Sequence, residues 1–172
     1  AALIVQLVIC NISISNASEW SGYAIGAVLL LYELVALPLW FKRPNPVIFV
    51  PCGFAAVLAY LLYIDLAAHG GGFLKFAFPV VGAYGLLVTA VVTLLKYVRR
   101  GHLYIFGGAL IAHGIYMTFL EMMINIAFSE KTVLQLNWSY FPLFGCFILG
   151  MGLIIVAINK PIQESLKKKF FV

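Results

Sequence analysis

The sequence predicts an all-α, polytopic membrane protein: a bundle of six transmembrane helices with both termini in the cytoplasm. Three observations predict it. Of 172 residues, 64% are hydrophobic and only 10% are charged, and the mean hydropathy is +1.06. The apolar residues gather into runs close to the roughly 20 residues that cross a hydrocarbon core. The basic residues fall almost wholly in alternate links between those runs. A water-soluble domain of this length cannot hide so much apolar surface. A soluble enzyme, a nucleic-acid-binding domain and a disordered chain are therefore excluded as readings of the whole chain. The pI near 9.2 reflects where the lysines and arginines sit relative to a membrane, not a nucleic-acid partner.

Taken in order, the spans are expected at about 1–13, 20–41, 47–67, 73–98, 102–128 and 138–159, followed by a basic tail over 161–172. Together they form one domain. The first is short and is expected to lack its beginning. Lys42-Arg43-Pro44-Asn45-Pro46 ends the second span, because it is charged and proline cannot continue a helix. His69-Gly70-Gly71-Gly72 is a flexible turn after the third. Lys96 to Gly101 is a basic elbow, and Ser129 to Asn137 is the longest polar link. Alternation of the β-barrel kind is absent from the pattern, so helices must satisfy the backbone in lipid.

Nine of the 11 basic residues (Lys42, Arg43, Lys96, Arg99, Arg100, Lys160, Lys167, Lys168 and Lys169) lie in links two–three and four–five or after the sixth span. The other side holds only Lys75 and Lys131, beside Glu19, Asp65 and Glu130. Cytoplasmic loops carry the excess of lysine and arginine, which places both termini inside. Trp20, Trp138 and Tyr140 then fall at the outer interface and Trp40, Tyr97 and Tyr104 at the inner one. The three cysteines have no metal-ligand spacing and read as small apolar residues.

Charges inside a span usually face the bundle or a cavity. Glu33, in the inner half of span two, and Glu121, in the outer third of span five, are the two clear cases. His113, Met117, Glu121 and Asn125 recur every four residues on span five and make one slowly winding stripe, with Tyr116 beside it. A second group closes span three and opens span four: Tyr60, Tyr63, Asp65, His69 and Lys75. Pro79 cannot donate to the carbonyl of Lys75 and is expected to kink span four. The candidate ligand-binding residues are thus His113, Tyr116, Glu121, Asn125, Tyr63, Asp65 and Lys75, with Glu33 a separate intramembrane charge. If Glu121 lines a cavity, Glu121→Gln is expected to leave folding little changed and to weaken ligand binding; if it only bonds neighbouring helices, the cost is about 1 kcal/mol and binding is unaffected. Gly22 and Gly26 on span two, Gly108 and Ala112 on span five, and Gly145, Gly150 and Gly152 on span six permit close helix approach.

Asn137-Trp138-Ser139 opens a span that ends in Asn159-Lys160-Pro161-Ile162 and closes on Glu164-Ser165-Leu166-Lys167-Lys168-Lys169-Phe170-Phe171-Val172, and Phe73-Leu74-Lys75-Phe76-Ala77-Phe78-Pro79 opens span four. In these segments the chain resembles a group of uncharacterised bacterial six-span inner-membrane proteins that often carry a zinc ribbon before the membrane part. Their tail ends basic-basic-Phe-His-aliphatic; here Phe171 stands where the His is. The CxxC pairs of a ribbon do not occur in this sequence. The resemblance implies that such a domain was lost or removed, and that the setting is a bacterial cytoplasmic membrane. It implies no chemistry and no site residue.

Function is expected to be the binding or transport of a small molecule through a polar cavity among spans three, four and five. A non-catalytic structural or regulatory subunit that binds a protein partner is the alternative. A membrane enzyme using His113 and Glu121 on a lipid-like substrate is the third. The expected partners are membrane lipids, a small-molecule ligand, and a protein partner or second copy. Neither a catalytic residue, a cofactor, a metal nor a nucleic acid is assigned.

Overall fold

A computed structural model describes residues 19–42, 45–98, 101–128 and 136–159. The expected first span, 1–13, and the tail, 161–172, lie outside the described residues. Among the described residues all regular structure is helical. The helices are α1 (Glu19–Leu31), α2 (Leu37–Trp40), α3 (Pro46–Ala68), α4 (Phe78–Tyr97), α5 (His102–Phe128) and α6 (Tyr140–Ile158). A π turn over Tyr32–Ala36 joins α1 to α2, and another over Phe73–Ala77 leads into α4. Five stretches are long and apolar enough to cross a membrane: Gly22–Trp40, Pro46–Ala68, Phe73–Tyr97, His102–Phe128 and Tyr140–Ile158. This is a multi-pass membrane protein.

Exposure follows the same logic inverted from a soluble protein. Phe73 and Ala157 are the buried hydrophobic residues among those described, whereas Phe141 is 81% and Leu86 75% exposed. Side chains as apolar as lipid need no shelter from it, so the interior falls to small and polar residues.

Each π turn precedes a proline by the same offset. Ala36-Leu37-Pro38 follows the first and Ala77-Phe78-Pro79 the second. A proline removes the N–H that would bond four residues back. At the second turn the N–H of Phe78 donates to the carbonyl of Phe73, five residues back. The kink expected at Pro79 takes this form, one widened turn.

The chain clusters into two compact units, Ala1–Phe78 and Pro79–Val172. In the first, α1 and α3 run antiparallel and in register. Tyr63 lies on Gly22, Tyr60 on Gly26, and Leu34 beside Gly53. A Cβ on Gly22 would collide with the Tyr63 hydroxyl, and one on Gly26 would come within 2.5 Å of Tyr60 Cε2. Asn45 caps α3, its side chain accepting from the N–H of Val47, and Pro46 needs no partner in the first turn.

The second unit is built on α5 and α6. Gly107, Gly114 and Glu121 are the buried residues of α5, and Gly150 and Ala157 those of α6. On both helices the spacing is seven, the period of a coiled-coil seam. A Cβ on Gly107 would sit 2.7 Å from the backbone oxygen of Gly150, and one on Gly150 would sit 2.6 Å from that of Gly107. Gly114 lies against Leu143 and Cys146. By contrast Gly108, Gly145 and Gly152, expected to permit close approach, face open space.

Candidate functional site

In the first unit the register of α1 on α3 leaves an open groove of about 430 Å³. Gly22, Gly26, Leu29, Leu30 and Glu33 line one wall, and Ala56, Ala59, Tyr60 and Tyr63 the other. Small residues shape the groove: the two glycines make room for the tyrosine rings, and Ala56 and Ala59 leave the opposite wall low. Tyr60 donates its hydroxyl to the carbonyl of Tyr23 at 2.9 Å, which fixes its ring across α1. Tyr23 and Tyr63 pack with ring centroids 6.2 Å apart. The lining is otherwise aliphatic, and among the described residues Glu33 is its one carboxylate, with no lysine, arginine or histidine beside it. Glu33 belongs to the π turn, is exposed, and has no hydrogen-bond or ion-pair partner among the described residues.

Of the other residues singled out in this unit, Asp65 serves the end of α3. His69 takes the left-handed conformation there (φ 52°, ψ 33°), and its N–H donates to the carbonyls of Asp65 and Leu66. Asp65 Oδ1 accepts from the N–H of Gly72 at 2.9 Å. The side chain thus mimics one more turn of backbone. Lys75 lies in the second π turn and is exposed; among the described residues it forms no ion pair with Asp65.

In the second unit Glu121 is 2% exposed, and its partners are backbone N–H groups. Oε1 accepts from Asn137 at 2.6 Å and from Trp138 at 3.2 Å, and Oε2 accepts from Ser139 at 2.9 Å. Ser139, fully enclosed, is the N-cap residue of α6. The carboxylate therefore sits at the positive end of that helix and accepts from the N–H of its N-cap residue and from those of the two residues before it. A capping box does this within one helix; here a neighbouring helix supplies the acid.

His113 and Tyr116 face α4 instead. Tyr116 donates to the carbonyl of Val80 at 3.2 Å. The two rings stack on each other at 6.4 Å, and Tyr84 packs against both, 6.0 Å from the ring of His113 and 4.9 Å from that of Tyr116. His113 also closes a smaller apolar groove of about 240 Å³ with Leu87, Val91, Phe106 and Leu110. Asn125 is partly exposed. The stripe thus divides, with Glu121 turned to α6 and His113 and Tyr116 to α4. Tyr63, Asp65 and Lys75 belong to the first unit and the four stripe residues to the second. Among the described residues no group of three His, Cys, Asp or Glu is placed to hold a metal.

Sequence reasoning did not pick out Tyr23 and Tyr84, nor connect Glu33 with the tyrosines of α3. A usable signal was present: Gly22 and Gly26, four apart, match Tyr60 and Tyr63, three apart, on the next span. Two gaps facing two rings at helical spacing are complementary.

No protein-family model, curated protein or solved structure matches the chain.

Proposed function

We propose that this protein binds or transports a small molecule in a membrane, and that the groove between α1 and α3 is where it binds. One observation carries the proposal: an open groove of about 430 Å³ with a single acid in an otherwise apolar and aromatic wall. Ligand sites generally enclose roughly 300–1,000 Å³, lined by apolar and aromatic groups with a few polar ones that fix orientation. An ionisable residue within a span is by default a functional one. The cavity expected around Glu121 has less support, because that carboxylate is already spent on three backbone donors.

The wider setting we propose is a bacterial cytoplasmic membrane, crossed six times with both termini inside. The segregation of the basic residues and the resemblance in the last span support it. A partner-binding subunit is the second reading. The broad apolar face of α6 favours it, with Phe141, Phe144 and Ile148 each more than half exposed.

Native mass spectrometry of the intact chain, released from lipid nanodiscs, tests the first reading. A small molecule should stay bound to the parent and be lost from Ala59→Leu, which fills the groove from α3. Retention of the same molecule by both would remove the groove from consideration. A protein retained with no small molecule would favour the second reading.

A further inference from the structure

We infer that the groove between α1 and α3 takes an organic cation, a molecule with an apolar body and one positive charge set against Glu33. This rests on the groove being the binding site and names the class of its ligand. Three features lead to it.

The first is charge. A carboxylate on a membrane helix is unfavourable, and such groups are normally paired. Among the described residues Glu33 has no partner, and those that line the groove include no lysine, arginine or histidine to supply a countercharge.

The second is position. Glu33 lies in the π turn, eleven residues from Gly22 and seven from Trp40 in the span Gly22–Trp40. At 1.5 Å per residue that puts it about 10 Å from the Trp40 end, too deep for a short acidic side chain to reach the headgroups. A permanent charge on a lipophilic body can enter that depth; a hydrated metal ion would need further oxygen ligands, and Glu33 offers only one carboxylate.

The third is shape. Gly26, with Tyr60 across it, and Glu33 are seven residues apart, about 10 Å along the helix. That length suits a body of a few rings or a short alkyl chain. Its sides would lie on Leu29, Leu30, Ala56 and Ala59, and its far end on the tyrosine rings. Aromatic faces also attract cations, so a charge displaced from Glu33 along the groove stays in a favourable field.

The test uses the intact chain in nanodiscs of zwitterionic phosphatidylcholine, so that no anionic lipid gathers cations. Tetraphenylphosphonium is the cationic probe and triphenylphosphine oxide its neutral comparator, both measured by equilibrium dialysis. The parent should bind the phosphonium saturably and prefer it to the neutral compound. Glu33→Gln should weaken phosphonium binding about tenfold or more and leave the neutral compound unchanged. Glu33→Asp should keep the preference. Ala59→Leu should weaken both probes. If Glu33→Gln binds the phosphonium as well as the parent while Ala59→Leu weakens both, the groove stands and the cation assignment fails. Equal loss of both probes in Glu33→Gln, with no preference for the cation in Glu33→Asp, overturns the assignment as well. If the parent shows no saturable binding, or if neither substitution changes it, the groove and the cation fall together.

Discussion

Glu121 shows how one buried side chain can be read two ways from the sequence and one way from its contacts. Within an apolar span a lone carboxylate suggests a cavity, and replacement by glutamine suggests a small loss. The contacts change that expectation. Both carboxylate oxygens accept backbone N–H groups, from Asn137 and Trp138 on one side and Ser139 on the other. A glutamine amide has one acceptor oxygen, and its NH₂ can only donate. Whichever way it is turned, it meets at least one N–H with another donor, and it forfeits the negative charge at the start of α6. Hydrogen bonds to charged groups are worth ~1.5–3 kcal/mol, and orphaning a buried donor adds to the loss. Glu121→Gln should therefore lower unfolding stability by about 1–3 kcal/mol, and Glu121→Ala by at least as much. Thermal unfolding of the detergent-solubilised variants measures this. A Glu121→Gln melting temperature equal to the parent's would mean that the three N–H contacts contribute nothing.

The pairing of α5 with α6 rests on a period of seven, and the sequence pattern that drew attention has a period of four. Steps of four advance about 40° per turn, so His113, Met117, Glu121 and Asn125 wind from one neighbour to another. Steps of seven drift only about 20° and stay on one partner. Gly107, Gly114 and Glu121 thereby hold one face, and Gly150 and Ala157 answer from α6. Apolar runs and charged links placed all five described spans to within a few residues, because lipid imposes length and polarity directly. Helix faces were harder to assign: a span surrounded by lipid has little polar–apolar asymmetry, and the glycine choice between 107 and 108 turns on contacts the pattern does not contain. The π turns were half visible, since Pro38 and Pro79 announce a break but not its form. A sharp test follows for the seam. Gly107→Ala and Gly150→Ala each push a methyl against backbone oxygen, at 2.7 and 2.6 Å, so α5 and α6 must separate. Overpacking of this kind destabilises by roughly 1–3 kcal/mol. Gly108→Ala and Gly152→Ala meet nothing within 4 Å, and alanine is the better helix former by up to ~1 kcal/mol. Those two should be neutral or stabilising. Four melting curves decide it, and the seam is misassigned if the pairs trade places.

For the whole molecule, the strongest ordering force is the distribution of lysine and arginine. Length and hydropathy alone leave the direction of the five spans open, and α6, the most apolar of them, has nothing but uncharged residues from Tyr140 to Ile158. Direction must come from the links. The link after Trp40, the elbow from Lys96 to Gly101 and the chain from Lys160 onward hold nine of the 11 basic residues, whereas the turn at His69–Gly72 holds none. Retention of basic links on the cytoplasmic side acts on charges close to the helix ends, which is where these lie. Four single cysteines test the resulting orientation, each in a chain whose Cys10, Cys52 and Cys146 are replaced by serine. Lys42→Cys and His102→Cys sit at exposed positions beside basic links, and Gly72→Cys and Asn137→Cys at exposed positions on the other side. In intact cells a membrane-impermeant maleimide should label Gly72→Cys and Asn137→Cys at once. It should label Lys42→Cys and His102→Cys only after permeabilisation. Because successive helices must alternate in direction, the four results are not independent: all four should follow this pattern or all four should invert. Labelling of Lys42→Cys and Gly72→Cys from the same side would mean that Pro46–Ala68 does not cross the membrane, a result the charge argument could not survive.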